Sequence, residues 1–340
     1  MNRTAVIDLG KMYIKGTLPK NFSENPNATP DDALRLGFNR IMELQDDNKV
    51  ISKKVLREHK VEIFAILEEI LQESINEGLT DILEGFVEYR NLALGDTNEF
   101  IIPDNKYFRV ATISDGNTNL RRQRLREGQS YQVPVHIKGV AIYEEFVRFM
   151  SGRIDFLEMI NIVGESFTRS IKEDIYRAVI TNFREGGAGT PYRETISGGV
   201  PTEKDILTVA KHLEAKTGAK VVIYGTAIAL SNLDIKYPSE NAKNSYSDKG
   251  FFGKVAGLDA VEIPPMHEVG TDDFIFADDA ILLLPQTSDK MVKVVNEGEA
   301  FIQDSDALNR ADLQATYLLT QKIGVAVIPS SAFGYIKFQG

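Results

Sequence analysis

Four arginines, Arg121, Arg122, Arg124 and Arg126, fall within six positions of the stretch NLRRQRLREG at 119–128. A guanidinium offers a planar fork of donors suited to carboxylate and phosphate oxygens, so such a cluster seeks an anion. Three partners are open on chemistry alone: a nucleic acid, a phosphorylated small molecule, or a carboxylate-rich protein surface. The rest of the chain weighs against the first. The formal net charge is -10 over 340 residues, and phosphate contacts need a basic surface. The cluster also lacks interleaved aromatic residues on which bases could stack.

The acidic counterpart lies upstream. Between 60 and 90, Glu62, Glu68, Glu69, Glu73, Glu77, Asp81, Glu84 and Glu88 are opposed only by Lys60 and Arg90. A charge run of this kind ordinarily forms a solvated helix face. It is also the richest carboxylate surface available to the arginines, and Glu68, Glu69, Glu73 and Glu77 are the residues chosen as their partners.

Residues that could carry other chemistry do not assemble into a pattern. The chain has no cysteine, which excludes disulfides and thiolate chemistry. His59, His136, His212 and His267 show no metal-ligand spacing. GFFGK at 250–254 departs from a phosphate loop, with Asp248 where a glycine is required and Val255 where Ser or Thr must follow the lysine. GGAGTP at 186–191 lacks dinucleotide-binding spacing. Asp272, Asp273, Asp278 and Asp279 read as turn residues flanking a strand rather than as a cation site. No constellation supports acid–base or covalent catalysis. No enzyme activity, cofactor or metal is expected.

The elements that position these residues follow from periodicity. Residues 1–58 read as loosely structured, with the turn formers of LPKNFSENPNATPDD at 18–32 suggesting an arm or exposed loop. Residues 60–90 read as a helix broken near Gly78. SYQVPVHIKG at 130–139 alternates as a strand, placed by Pro134 at a sheet edge. KYFRVATIS at 106–114 is its expected partner, which sets the arginines at the tip of a long hairpin. Residues 155–183 form an amphipathic helix capped by Asp155. Its stripe comprises Phe156, Ile160, Val163, Phe167, Ile171, Ile175, Ala178 and Asn182. From 202 helices and strands alternate, giving an α+β fold with mixed pairing. No run approaches the length of a membrane helix, and no secretory leader is visible.

Taken in order, these elements resemble the major capsid protein of tailed bacteriophages, the Hong-Kong-97-type fold. GFFGKVAGLDAVEIPP looks like that family's glycine-rich turn leading into an apolar strand. LLTQKIGVAVIPSSAFGYIKF looks like its closing segment. The resemblance covers about residues 99–340. It implies an N-terminal arm and acidic helical region over 1–98 and an extended loop over 99–145. It further implies a peripheral domain over 146–200 and 286–328, and an axial domain over 201–285 and 329–340. The implied function is a coat protein that self-assembles as pentamers and hexamers into an icosahedral virion shell, made in the host cytoplasm. Implied partners are other copies of the chain, a scaffolding protein, a portal, and packaged double-stranded DNA without sequence-specific contact. No membrane association is expected. An encapsulin-type nanocompartment shell shares the architecture and stands as the alternative. A nucleic-acid-binding protein using the arginine cluster is a second.

Overall fold

The computed structural model describes residues 3–18, 29–44, 53–80, 85, 87–102, 108, 110–112, 122–124, 128–143, 156–185, 192–197, 199–235, 240–268, 270–276, 278–287, 289–304, 316–328 and 331–338. The chain opens with three helices, α1 (Arg3–Ile14), α2 (Pro30–Ile41) and α3 (Lys53–Thr80). This corrects the loosely structured start read from the sequence. Thr29 caps α2: its hydroxyl accepts from the Asp32 amide at 3.1 Å, and the Asp32 carboxylate accepts from the Thr29 amide at 3.0 Å. Pro30 then supplies a preset φ in the first turn. The turn-rich string therefore ends in a helix start. Twelve-residue helices are marginal alone. Here Val6, Leu9, Leu34 and Phe38 bury against Ile63, Ile66 and Ile70 in one shared core.

The expected helix over 60–90 ends earlier. β1 (Val87–Leu92) is a strand, because the β-favouring Val87 and Tyr89 pair in parallel with β10 (Val292–Asp304). The four-stranded sheet runs β1-β10-β11-β4, with β11 at Thr316–Val327 and β4 at His136–Tyr143. Helix α3 crosses α4 (Phe156–Val179) closely. A Cβ on Gly164 would stand 2.0 Å from the Ser74 hydroxyl, so only glycine fits there. After α4 a π-helical turn, Ile180–Glu185, adds a residue per turn. The buried stripe runs at four-residue steps through Ile171, Ile175, Val179 and Phe183. Val179 and Phe183 are buried and Asn182 is exposed, in place of the expected Ala178 and Asn182. The expected cap Asp155 lies outside the described residues.

The expected hairpin also differs. SYQVPVHIKG is divided between two sheets: β3 (Gln129–Gln132) pairs antiparallel with β2 (Glu99–Ile102), while β4 pairs with β11. Pro134 falls at the break, where its missing N–H costs no ladder bond. The partner strand is thus EFII at 99–102 rather than 106–114, of which only Phe108 and 110–112 are described, outside any strand.

A six-stranded sheet completes the fold in the order β5-β12-β9-β6-β8-β7. Its strands are β5 (Arg193–Ile196), β6 (Val221–Gly225), β7 (Lys254–Val255), β8 (Leu258–Glu262), β9 (Ala280–Pro285) and β12 (Gly334–Phe338). Strand alternation divides it between two cores. Val222, Tyr224, Leu282, Leu284 and Tyr335 join the core of α4, whereas Val221, Ile223, Ile281, Leu283 and Ile336 face α5 (Glu203–Thr217). Thr202 caps α5 at its start, and Gly218 closes it in the left-handed region at φ 68. Two further helices, α6 (Ala227–Ser231) and α7 (Glu240–Lys249), complete the described elements.

Candidate subunit-contact surfaces

The β2–β3 ribbon carries the arginine segment, and one aromatic side chain holds it to the four-stranded sheet. Phe100 is 5% exposed and packs with Val133, Val295 and Ile328 in a small core of its own. The Arg90 guanidinium lies 3.9 Å from its ring centroid and the Lys293 ammonium 5.2 Å. Arg90 also donates to the Glu99 carbonyl at 3.1 Å, and Asn98 Nδ2 to the Val133 carbonyl at 2.6 Å. Lys293 is 1% exposed and is neutralised by direct contacts from Glu88 and Asp289.

Beyond this anchor, Arg122 and Arg124 are exposed and in no regular element. Arg121 and Arg126 lie outside the described residues. Ile101, Phe108 and Val110 are also exposed, Val110 by 94%.

The carboxylates of α3 are largely engaged within the chain. Glu69 pairs with Arg3 at 3.3 Å, and Glu73 pairs with Lys15 at 2.6 Å and Lys11 at 3.9 Å. Glu68 accepts from the Ile302 amide at 2.8 Å, and Gln72 from the Ala300 amide at 2.9 Å. Gln72 serves β10 inside its irregularity between Glu297 and Phe301, where ladder partners are lost, and Glu68 serves it just beyond. Burial pushes the Glu68 carboxyl above its usual range; the Ile302 amide opposes this and the nearby Glu299 adds to it. The Glu77 side chain lies outside the described residues. The roles of α1 and β10 as partners of α3 were not visible in the sequence, because they depend on packing between distant segments.

Two of the four aspartates, Asp278 and Asp279, serve structure. Asp278 accepts from the Thr226 hydroxyl at 2.5 Å, and Asp279 pairs with Lys337 at 3.5 Å. Among the described residues no group of side chains could hold a metal ion. Burial pushes the Tyr89 and Tyr176 hydroxyls up to about 12, which suits core residues.

The family described as "SPbeta prophage-derived putative capsid protein YonB" matches residues 40–337, nearly the whole chain. The chain belongs to this family. No curated protein matches it in sequence. Among solved structures, the asymmetric unit of the bacteriophage PhiM1 mature capsid is similar at 11% identity and a TM-score of 0.50, over 76% of this chain and 87% of that one. The capsid of an empty GTA particle aligns at 12% identity and a TM-score of 0.48, over 77% and 90%. A virus-like particle from Pyrococcus furiosus aligns at 12% identity and a TM-score of 0.45, over 81% and 99%. The PhiM1 likeness establishes the Hong-Kong-97-type capsid fold. Membership of the YonB family makes the chain a phage capsid protein whose copies build the shell, and so a structural component of the virion. Among the described residues no helix is long and apolar enough to cross a membrane.

Proposed function

We propose that this capsid protein assembles as pentamers and hexamers into an icosahedral shell around double-stranded DNA, in a purely structural role. The supporting observation is the YonB family match over residues 40–337. In this reading residues 146–200 and 286–328 act as a peripheral domain, and 201–285 with 329–340 as an axial domain. The ribbon and its loop, within 99–145, reach an adjacent subunit. Two physical features favour that last point. A two-stranded ribbon has little stability without a neighbour to lean on. Exposed large apolar residues such as Ile101, Phe108 and Val110 are surfaces awaiting burial.

Arg121, Arg122, Arg124 and Arg126 are proposed as subunit-contact residues that meet carboxylates of a neighbour. Exposed ion pairs contribute only about 0–1 kcal/mol each, but they fix register and repeat throughout a closed lattice. A scaffolding protein and a portal are proposed as assembly partners, since the shell must close at a defined size around an entry point for DNA. The test is electron microscopy and sedimentation of the purified chain, alone and with the scaffold co-expressed. Closed particles, or pentamers and hexamers, are expected; a stable monomer under both conditions would overturn the proposal. Changing all four arginines to Ser should leave the subunit folded and lower particle yield, more so as salt rises. Normal yield with depleted DNA would instead assign the arginines to the genome.

A further inference from the structure

Lys293 is a buried cation whose counterions are not buried. Its side chain is 1% exposed, whereas those of Glu88 and Asp289, which it contacts directly, are 31% and 47% exposed. The ammonium is therefore shielded from water, while the two carboxylates that neutralise it stay open to protons from solvent. Phe100 of the ribbon closes over it. The ring centroid lies 5.2 Å from the ammonium, and the ring packs on Val295, two residues along the same face of β10.

The described charges around this ammonium come from three elements. β1 supplies Glu88 and Arg90, and Arg90 reaches Glu88 at 3.5 Å and the Phe100 ring at 3.9 Å. The segment entering β10 supplies Asp289. On the ribbon, the Glu99 carboxylate is engaged by the Ser130 hydroxyl, and only the Glu99 carbonyl meets Arg90. β11 places the uncharged Ala326 opposite Lys293. Lys290 lines a separate recess beside Tyr224 and Ser331. Two anions thus balance two cations. Of these four groups, Lys293 alone has no access to solvent where it stands.

A buried ammonium without a counterion is far costlier than one in water. Acid removes the counterions, because carboxylates take up protons as pH falls toward about 4. Arg90, Glu88 and Asp289 can adjust at the surface. Lys293 regains water only if Phe100 lifts away. We infer that Glu88, Asp289 and Lys293 form an acid-sensitive latch, which holds the ribbon on its own sheet while both carboxylates are ionised and releases it when they are protonated. Docking is therefore full at neutral pH and is lost as pH falls. Phe100, Val133, Val295 and Ile328 stand apart from the two large cores, so release precedes unfolding of the subunit. The latch belongs to the single subunit and does not depend on the shell reading above.

The test uses two nitroxide labels, at Ile101→Cys on the ribbon and Ile162→Cys on α4. Both positions are exposed, by 69% and 56%, and the chain has no native cysteine. The distance between the labels is measured by pulsed electron paramagnetic resonance on the unassembled subunit, from about pH 7 to about pH 4. Circular dichroism follows helix content in parallel. A single narrow distance at neutral pH should give way to a broad distribution in acid at constant helix content, and return on neutralisation. The ratio of released to docked ribbon should rise by about 100-fold or more. Lys293→Met leaves no ammonium to strand and should keep the ribbon docked throughout. Glu88→Gln with Asp289→Asn should release it already at neutral pH, an independent check should Lys293→Met fail to fold. The latch is overturned by a narrow distance at every pH in the wild type, or by release only together with loss of helix content. An acid transition unchanged in Lys293→Met, or a docked ribbon in the Glu88→Gln, Asp289→Asn variant at neutral pH, overturns it equally.

Discussion

Truncating Phe100 should release the ribbon without unfolding the subunit. Phe100 belongs to a core of four buried residues, separate from the two large cores that hold the helices and both sheets. Removing a buried Phe side chain costs about 3–5 kcal/mol. Part of that is the cation–π attraction of Arg90, about 0.5–1 kcal/mol for an exposed partner, and of desolvated Lys293, about 2 kcal/mol. A four-residue, two-stranded ribbon has little stability of its own to offset such a loss. The penalty therefore falls on local opening. At about 1.4 kcal/mol per factor of ten, amide exchange in β2 and β3 should accelerate by about 100-fold or more. Amides of α4 and β9 should exchange at the wild-type rate, and the melting temperature should barely move. The assay is hydrogen exchange by mass spectrometry on wild type and Phe100→Ala. Equal acceleration across all elements would show that the ribbon is no separate unit. No acceleration in β2 and β3 would show that Phe100 does not anchor it.

Phe167→Ala should behave in the opposite way: Phe167 is 3% exposed in the large core, so the whole subunit should lose about 3–5 kcal/mol by denaturant titration, with insolubility as the visible result. Wild-type melting of a soluble variant would remove that face from the core. Lys293→Met should be neutral to stabilising, because Glu88 and Asp289 can return to solvent, whereas Glu88→Ala with Asp289→Ala strands a buried ammonium at a cost of about 3–5 kcal/mol. Comparable losses in the two variants would contradict this asymmetry. For Glu68 the folded carboxyl titrates above its ordinary value, so between the two values the folded state holds more protons. Its contribution to stability is full below the unfolded value and is lost as pH rises through the folded one. Glu68→Gln keeps the acceptor for the Ile302 amide and should flatten that slope; an unchanged profile of denaturation midpoint against pH would rule the group out.

Much of the fold could be read from periodicity wherever one element met one environment. The stripe from Ile160 to Ile175 is buried as its spacing implies. Errors arose where local pattern competed with tertiary context. Alternation through Pro134 looked like one strand, yet the chain changes sheets there, and nothing local specifies which strand each half will meet. Val87 and Tyr89 followed a helical run and became a strand because β10 offered a ladder. The Thr29–Asp32 capping box was present in the sequence, but the surrounding Pro, Asn and Ser suggested turns alone.

The contact surfaces were legible as chemistry and not as geometry. Charge count alone paired the arginines with the acidic helix 60–90. Folding engages Glu69 and Glu73 with cations of α1, a segment read as unstructured, and so takes them out of the pool. Glu68 serves the Ile302 amide and Glu297 pairs with Lys322, so Glu299, exposed at the irregularity of β10, is the carboxylate left open. A capsid subunit needs a surface that is incomplete alone and complete only beside a copy of itself.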